Sequence, residues 1–324
     1  MKPKIYVTRQ VPKAGLSMLR EACKIEMWEE ELPVPRDILL KKMHEMEGLC
    51  SLITERVDDE LLDAAPRLKV VSNMAVGYDN VDVAACTARG IPVGNTPGVL
   101  TDATADLTFS LLMAAARRIP EAVDYVRDGK WHTWDPLGLL GAEVWGATLG
   151  IVGLGRIGQA VARRGRGFDM HILYSDTIRR SELEAELGVE YVGFEQLLSR
   201  SDFVSLHCPL LPETRHLMNE ETLKKMKTTA ILINAARGPV VDTDALVDAL
   251  RQGWIAAAAL DVTNPEPLPA QHSLVDLPNC IVVPHIGSAT VVARSRMSVR
   301  AAENLLAGLR GQKLPYCVNP QVYE

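Results

Sequence analysis

The sequence predicts an α/β protein of two domains, each built on a mostly parallel sheet. Three observations lead there. Short β-like runs alternate with helical ones along almost all of the 324 residues; a glycine turn, Gly153-Leu-Gly155-Arg-Ile-Gly158, joins one such run to a helix; and Asp176 stands just past the next run, 23 residues beyond Gly153. A chain of this length can bury two separate cores.

The first stretch alternates Lys4–Val7, a helix opening at Pro12, Ile25–Trp28, a helix opening at Pro35, Gly48–Ile53, a helix over Asp58–Ala65, Lys69–Ser72, a helix over Asp82–Arg89, and Ile91–Val93. Proline suits the first turn of a helix, and Gly90 suits an exit. Pro97-Gly98 breaks the pattern. Thr101–Arg118 then reads as one long helix whose second half is apolar on nearly every side, which predicts cover from both the domain junction and a subunit interface. Trp131-His-Thr-Trp134 opens an irregular aromatic loop. Leu149–Val152, Met170–Tyr174, Glu190–Val192, Phe203–His207, Ala230–Asn234, Ile255–Leu260 and Cys280–Val283 follow as strands, with a helix at Ser181–Leu187 and a last one over Val291–Arg310. The last helix can return to the first domain, so the predicted division is 1–99 with 290–324, and 100–289.

Composition narrows the function classes. A net charge of −6 offers no basic face for nucleic acid, so an anionic ligand must be met by local cations. No apolar run reaches the roughly 18 residues of a membrane span, and Met1-Lys-Pro-Lys4 leads straight into Ile5 without the apolar core of a signal peptide. Six cysteines, none in a CxxC pair or at metal-ligand spacing, read as small buried side chains in a reducing cytoplasm, with no metal site.

The glycine turn carries the first chemical statement. Gly153 allows the tight turn, Gly155 lets a pyrophosphate approach the backbone, and Gly158 lets helix and strand pack closely, while the amides from Leu154 through Arg156 and Ile157 face the phosphates at the positive end of the helix dipole. A carboxylate at Asp176 accepts from both hydroxyls of a ribose and repels a 2′-phosphate, so NAD(H) is the preferred cofactor of this doubly wound, Rossmann-type domain. Arg179 and Arg180 close by keep NADP(H) open.

In such a sheet ligands bind beyond the carboxyl ends of the strands. Arg237, Glu266 and His285 each follow one of the last three apolar runs. Arg237 can grip a carboxylate and polarise an adjacent carbonyl; His285 can hand a proton to that oxygen; Glu266 can orient the imidazole. In the first domain, the bend at Ser72–Asp82 predicts unpaired amides at Val76 and Gly77, suited to an anion.

These motifs together, Gly153–Gly158, Asn234-Ala-Ala-Arg-Gly-Pro-Val-Val-Asp242, Ala259-Leu-Asp-Val-Thr-Asn-Pro-Glu-Pro-Leu-Pro269 and Pro284-His-Ile-Gly-Ser-Ala289, resemble the D-isomer-specific 2-hydroxyacid dehydrogenases. Asn73–Asp79, Gly129–Trp134 and Asn304–Gly311 are most similar to the glyoxylate/hydroxypyruvate reductases among them. The resemblance implies a flavodoxin-like substrate domain beside the Rossmann domain and a homodimer. It implies Arg237, Glu266 and His285 as catalytic residues, and a small 2-keto acid held by Arg237, Val76 and Gly77 beside Leu52, with Trp134 entering the neighbouring subunit's site. Ala235, Asp261 and Gly287 match positions near the nicotinamide, Cys208, Pro209 and Thr214 the adenosine side, and Thr104 and Ala236 are further cofactor-binding candidates. The implied reaction is reduction of glyoxylate or hydroxypyruvate. Phosphoglycerate dehydrogenases, enzymes of keto-sugar acids, phosphite-oxidising relatives and a nucleotide-sensing corepressor share the scaffold and stand as alternatives; a phosphoglycerate enzyme often carries a regulatory domain for which no residues follow 324.

Overall fold

The computed structural model describes residues 2–324, which divide into two compact units, one running to Leu100 and completed by Ala289–Glu324, the other Thr101–Ser288. In chain order the first unit carries β1 (Lys4–Val7), α1 (Lys13–Ala22), β2 (Lys24–Met27), α2 (Arg36–Met43), β3 (Gly48–Ser51), α3 (Asp59–Asp63), β4 (Val70–Asn73), α4 (Val83–Ala88) and β5 (Val93–Gly94). The second carries α5 (Thr101–Ala116), α6 (Ile119–Arg127), β6 (Thr148–Val152), α7 (Arg156–Arg166), β7 (His171–Ser175), α8 (Ser181–Leu187), β8 (Val189–Tyr191), α9 (Phe194–Arg200) and β9 (Phe203–Leu206). It continues with α10 (Glu220–Lys224), β10 (Ile231–Asn234), α11 (Thr243–Gln252), β11 (Ala257–Leu260), α12 (Ser273–Asp276) and β12 (Cys280–Val282) before α13 (Val291–Leu309) rejoins the first unit.

Both sheets are parallel throughout. The first unit has the strand order β2-β1-β3-β4-β5 of a flavodoxin-like sheet. Its strands β3 and β4 are buried at every position, as parallel strands covered on both faces must be, with α1 packed on α13 and α13 lying along β3 and β4. The second has seven strands in the order β12-β11-β10-β9-β6-β7-β8. The chain winds outward from β6 to β8, then returns beside β6 at β9 and winds the other way. That reversal makes the carboxyl end of β6 the switch point, where such sheets bind ligands.

Sequence and structure differ at several element ends. Pro12 and Pro35 precede their helices with extended backbone, φ/ψ −52°/142° and −56°/139°, instead of sitting in the first turn. The long helix stops at Ala116 because Arg118 adopts a left-handed φ of 51°, and a separate helix, α6, begins at Ile119. Helix α5 packs on β10, β11 and α7 of its own unit, and Asp102, Asp106 and Ser110 form an exposed row along it. All six cysteines are free, four of them buried. Among the described residues no helix is long and apolar enough to cross a membrane, and no cluster of side chains has the composition of a metal site.

Candidate active site

The glycine turn sits at the switch point, and each glycine there has a separate steric reason. Gly153 has φ +93°, and a Cβ on it would lie 2.9 Å from the Cys208 amide nitrogen and 3.0 Å from the His207 carbonyl oxygen. A Cβ on Gly158 would come within 2.3 Å of the Gly153 oxygen, so the helix can approach the strand only without one. A Cβ on Gly155 would meet nothing within 4 Å, which leaves the space in front of the turn open. Gly155 is also the N-cap of the 11-residue α7, and no side chain caps that helix, so its first amides need an acceptor from elsewhere. Open space, uncapped amides and a positive dipole end fit a pyrophosphate.

Asp176 follows β7 directly. Its Oδ2 accepts a hydrogen bond from Leu154 N at 2.8 Å, which ties the acid to the turn and leaves acceptor capacity on both carboxylate oxygens. Arg179 is gripped on two edges by Glu184, Nε to Oε1 and Nη2 to Oε2 at 2.8 Å each, and lies over the Tyr191 ring. Arg180 Nε is buried and has no hydrogen-bond partner. Arg179 is thus engaged by Glu184, while Asp176 keeps oxygens able to accept from a ligand. On the other side of the turn, Cys208 is buried and Thr214 Oγ1 donates to Pro209 O at 2.7 Å while accepting from Leu211 N at 2.8 Å, so Cys208–Thr214 is a pinned loop. His207, whose Nε2 lies 2.8 Å from Ser205 Oγ, is pushed down to about 4 by burial, so its ring is neutral near pH 7.

The polar residues after β10, β11 and β12 stand at one edge of one sheet. His285 Nδ1 and Glu266 Oε1 are 2.5 Å apart, a short contact that fixes the imidazole and directs Nε2 away from the carboxylate. The backbone of His285 is itself constrained: φ is 51°, and its N–H donates to Asp261 O at 2.9 Å. Asp261, 2% exposed, receives Ile286 N on Oδ1 at 2.6 Å and Gly287 N on Oδ2 at 2.9 Å. Burial raises its pKa above the ordinary carboxylate range, against those amides. A Cβ on Gly287 would lie 2.9 Å from Asp261 Oδ2 and 3.3 Å from Thr104 Cγ2, so Thr104, Asp261 and Gly287 meet at one point.

Arg237 sits on a turn that Asn234 holds, donating from Nδ2 to Arg237 O at 2.9 Å and accepting Ala236 N on Oδ1 at 3.0 Å. Arg237 Nη1 donates to Ala236 O at 2.8 Å. Gly238 packs so closely on the β11 loop that a Cβ there would fall 1.8 Å from Thr263 O. Sequence reasoning gave Asn234 no role. Its signal was an asparagine at a strand end ahead of Gly-Pro, where a side chain can bond its own backbone two or three residues on.

In the first unit, the bend after β4 is held by its carbonyls. Asn95 Nδ2 donates to Val76 O at 2.8 Å, and Asn73 Nδ2 to Gly77 O at 3.1 Å. Among the described residues the amides of Val76 and Gly77 donate to nothing. Leu52, after β3, donates its N–H to Glu55 Oε2 at 2.9 Å, so its amide is not free for a ligand.

This arrangement has a recognisable kind. Residues 109–287 match the family model described as D-isomer specific 2-hydroxyacid dehydrogenase, NAD binding domain. The chain belongs to the D-isomer-specific 2-hydroxyacid dehydrogenases. Similarity to this dehydrogenase family extends over the full length. The chain is 53% identical to a glyoxylate reductase of Korarchaeum cryptofilum over 323 residues, 99% of this chain and 97% of the relative. A crystal structure of a Thermus thermophilus protein superposes with a TM-score of 0.92 at 48% identity, covering 97% of this chain and 99% of that one. An NADPH-dependent glyoxylate/hydroxypyruvate reductase of Sinorhizobium meliloti, solved with NADP and malonate, gives 0.86 at 34% identity, with 99% and 98% covered.

Proposed function

We propose that this dehydrogenase reduces glyoxylate or hydroxypyruvate to the 2-hydroxy acid, of D configuration where the product is chiral, with NADH as the preferred reductant. The observation that carries the proposal is the His285–Glu266 pair, 2.5 Å apart at the same sheet edge as Arg237 and in the same unit as an open glycine cradle.

The cofactor would lie on Gly153, Leu154, Gly155, Arg156, Ile157 and Gly158, with its ribose on Asp176, its adenosine side against Cys208, Pro209 and Thr214, and its nicotinamide near Thr104, Ala235, Ala236, Asp261 and Gly287. When bound it supplies the hydride that reduces the carbonyl carbon. Arg237 holds the substrate carboxylate through its planar fork and polarises the carbonyl. In the first unit the Val76 and Gly77 amides are the proposed anion-binding groups, and the Leu52 side chain is the proposed apolar contact to the substrate. His285 donates the proton to the carbonyl oxygen, and Glu266 keeps its ring in place.

The direction of the pH dependence follows from that proton. Reduction needs the imidazolium and oxidation the neutral imidazole, so raising the pH slows reduction and speeds oxidation. Initial rates in both directions across a pH series check this; parallel profiles contradict it.

Asp176→Ala lowers the preference for NADH over NADPH by about tenfold or more, the worth of a charge-assisted hydrogen bond together with the lost repulsion of a 2′-phosphate. The ratio of kcat/KM for the two cofactors reads it. An unchanged ratio assigns discrimination to Arg179 and Arg180 instead. A panel of small 2-keto acids assayed with both cofactors in parallel tests the substrate class.

We assign the enzyme to homodimers in the cytoplasm. No residue of α6 is buried, and Trp131, Trp134, Leu137, Leu140 and Trp145 are 64–79% exposed in the segment that follows it. Apolar surface on that scale asks for a partner, and a second copy of this chain brings Trp134 to the neighbouring site. Six free cysteines suit a reducing compartment.

A further inference from the structure

The carboxyl edge of the first unit's sheet holds a connected set of buried polar groups to which no role has been given. Thr8, Ser51 and Asn73 are fully buried and Glu55 is 3% exposed. Glu55 Oε2 accepts from Thr8 Oγ1 at 2.6 Å and from Leu52 N at 2.9 Å, while Oε1 accepts from Thr54 Oγ1 at 2.5 Å. Asn80 Nδ2 donates to Leu52 O at 2.9 Å and Glu55 O at 2.8 Å. Its Oδ1 accepts from Asn73 Nδ2 at 3.1 Å, the same group that donates to Gly77 O. Ser51 Oγ closes the set on Asn73 Oδ1 at 3.2 Å.

Two features set this apart from ordinary loop packing. Glu55 is a buried carboxylate that forms no ion pair among the described residues, an arrangement costlier than a neutral acceptor of the same shape. What the charge adds is a stronger hold on its three donors. The second feature is what is held. Both backbone groups of Leu52 are fastened, one to Glu55 and one to Asn80, so its side chain leaves the backbone in one fixed direction, and the same set of bonds ends on the carbonyl of Gly77.

We infer that Glu55 is a positioning residue for substrate selection: through the Leu52 amide it fixes how much room lies beside the bound 2-keto acid. The inference rests on the reading that Leu52 borders the substrate. Removing the carboxylate frees the Leu52 amide, lets its side chain shift, widens that space and erodes the preference for small 2-keto acids. The glycine cradle and Asp176 lie on other elements, so the NADH requirement is untouched.

The test compares Glu55→Ala, Glu55→Gln and Leu52→Ala with the parent enzyme, using glyoxylate, hydroxypyruvate and the longer 2-ketobutyrate. In Glu55→Ala, kcat/KM for glyoxylate falls by about 10- to 100-fold, the scale of a misplacement near 1 Å, and falls less for 2-ketobutyrate. The KM for NADH stays constant. Glu55→Gln recovers most of the loss, since its amide oxygen still accepts from Thr8 and Leu52. If Glu55→Ala does not fold, Glu55→Asp takes its place, drawing the acceptor back by one methylene, and the same shift in substrate ratio is expected. An unchanged ratio in the Glu55 variants beside a changed ratio in Leu52→Ala overturns the inference and leaves Leu52 at the substrate. An unchanged ratio in all of them removes Leu52 from the substrate and the inference with it.

Discussion

His285→Gln lowers kcat for 2-keto acid reduction by about 10²- to 10⁴-fold, the contribution of a well-placed general acid. Glutamine keeps a hydrogen-bond donor of similar reach but cannot release a proton to the developing alkoxide. The KM for NADH changes little, because the cradle at Gly153–Gly158 is built from β6 and α7 and owes nothing to the imidazole. Glu266→Gln is the milder relative of this change, since the 2.5 Å contact to His285 Nδ1 survives in neutral form. Steady-state kinetics of the two variants, with circular dichroism to verify folding, gives the ordering; equal losses in both indicate that the carboxylate does more than orient the ring.

Arg237→Ala lowers kcat/KM for glyoxylate by about 10²- to 10³-fold, the cost of leaving an anion without its charged partner. Because the guanidinium both binds the carboxylate and polarises the carbonyl, KM rises and kcat falls together. Arg237→Lys restores the charge but not the two-pronged geometry, and recovers only part of the loss. The turn itself survives either change, because Asn234 bonds the backbone of residues 236 and 237 and not the side chain. A variant whose only defect lies in the KM for NADH places Arg237 on the cofactor instead.

Much of the second unit was legible because its constraints are local. A parallel strand buried on both faces is an apolar run, a phosphate turn needs glycines at fixed offsets, and both leave marks in neighbouring residues. The polar groups after β10, β11 and β12 were legible by position, since a sheet of this kind puts its chemistry at the carboxyl ends. Asn234, Asp261 and Glu55 carried weaker marks. Each acts by accepting backbone amides in its own or an adjacent loop, and such bonds follow no periodicity. Asp261 accepts Ile286 N on one oxygen and Gly287 N on the other, and so shapes the loop that carries His285. Helix α6 went unread for another reason. Only a left-handed Arg118 separates it from α5, and nothing about an arginine announces that conformation.

The central claim is that a carbonyl held by Arg237 and protonated by His285 receives its hydride directly and on one face. Reduction of hydroxypyruvate with NADH deuterated at the transferring C4 position, followed by analysis of the product, tests this most directly. The account predicts D-glycerate with one deuterium at C2; product without deuterium at C2, or of the L configuration, contradicts it.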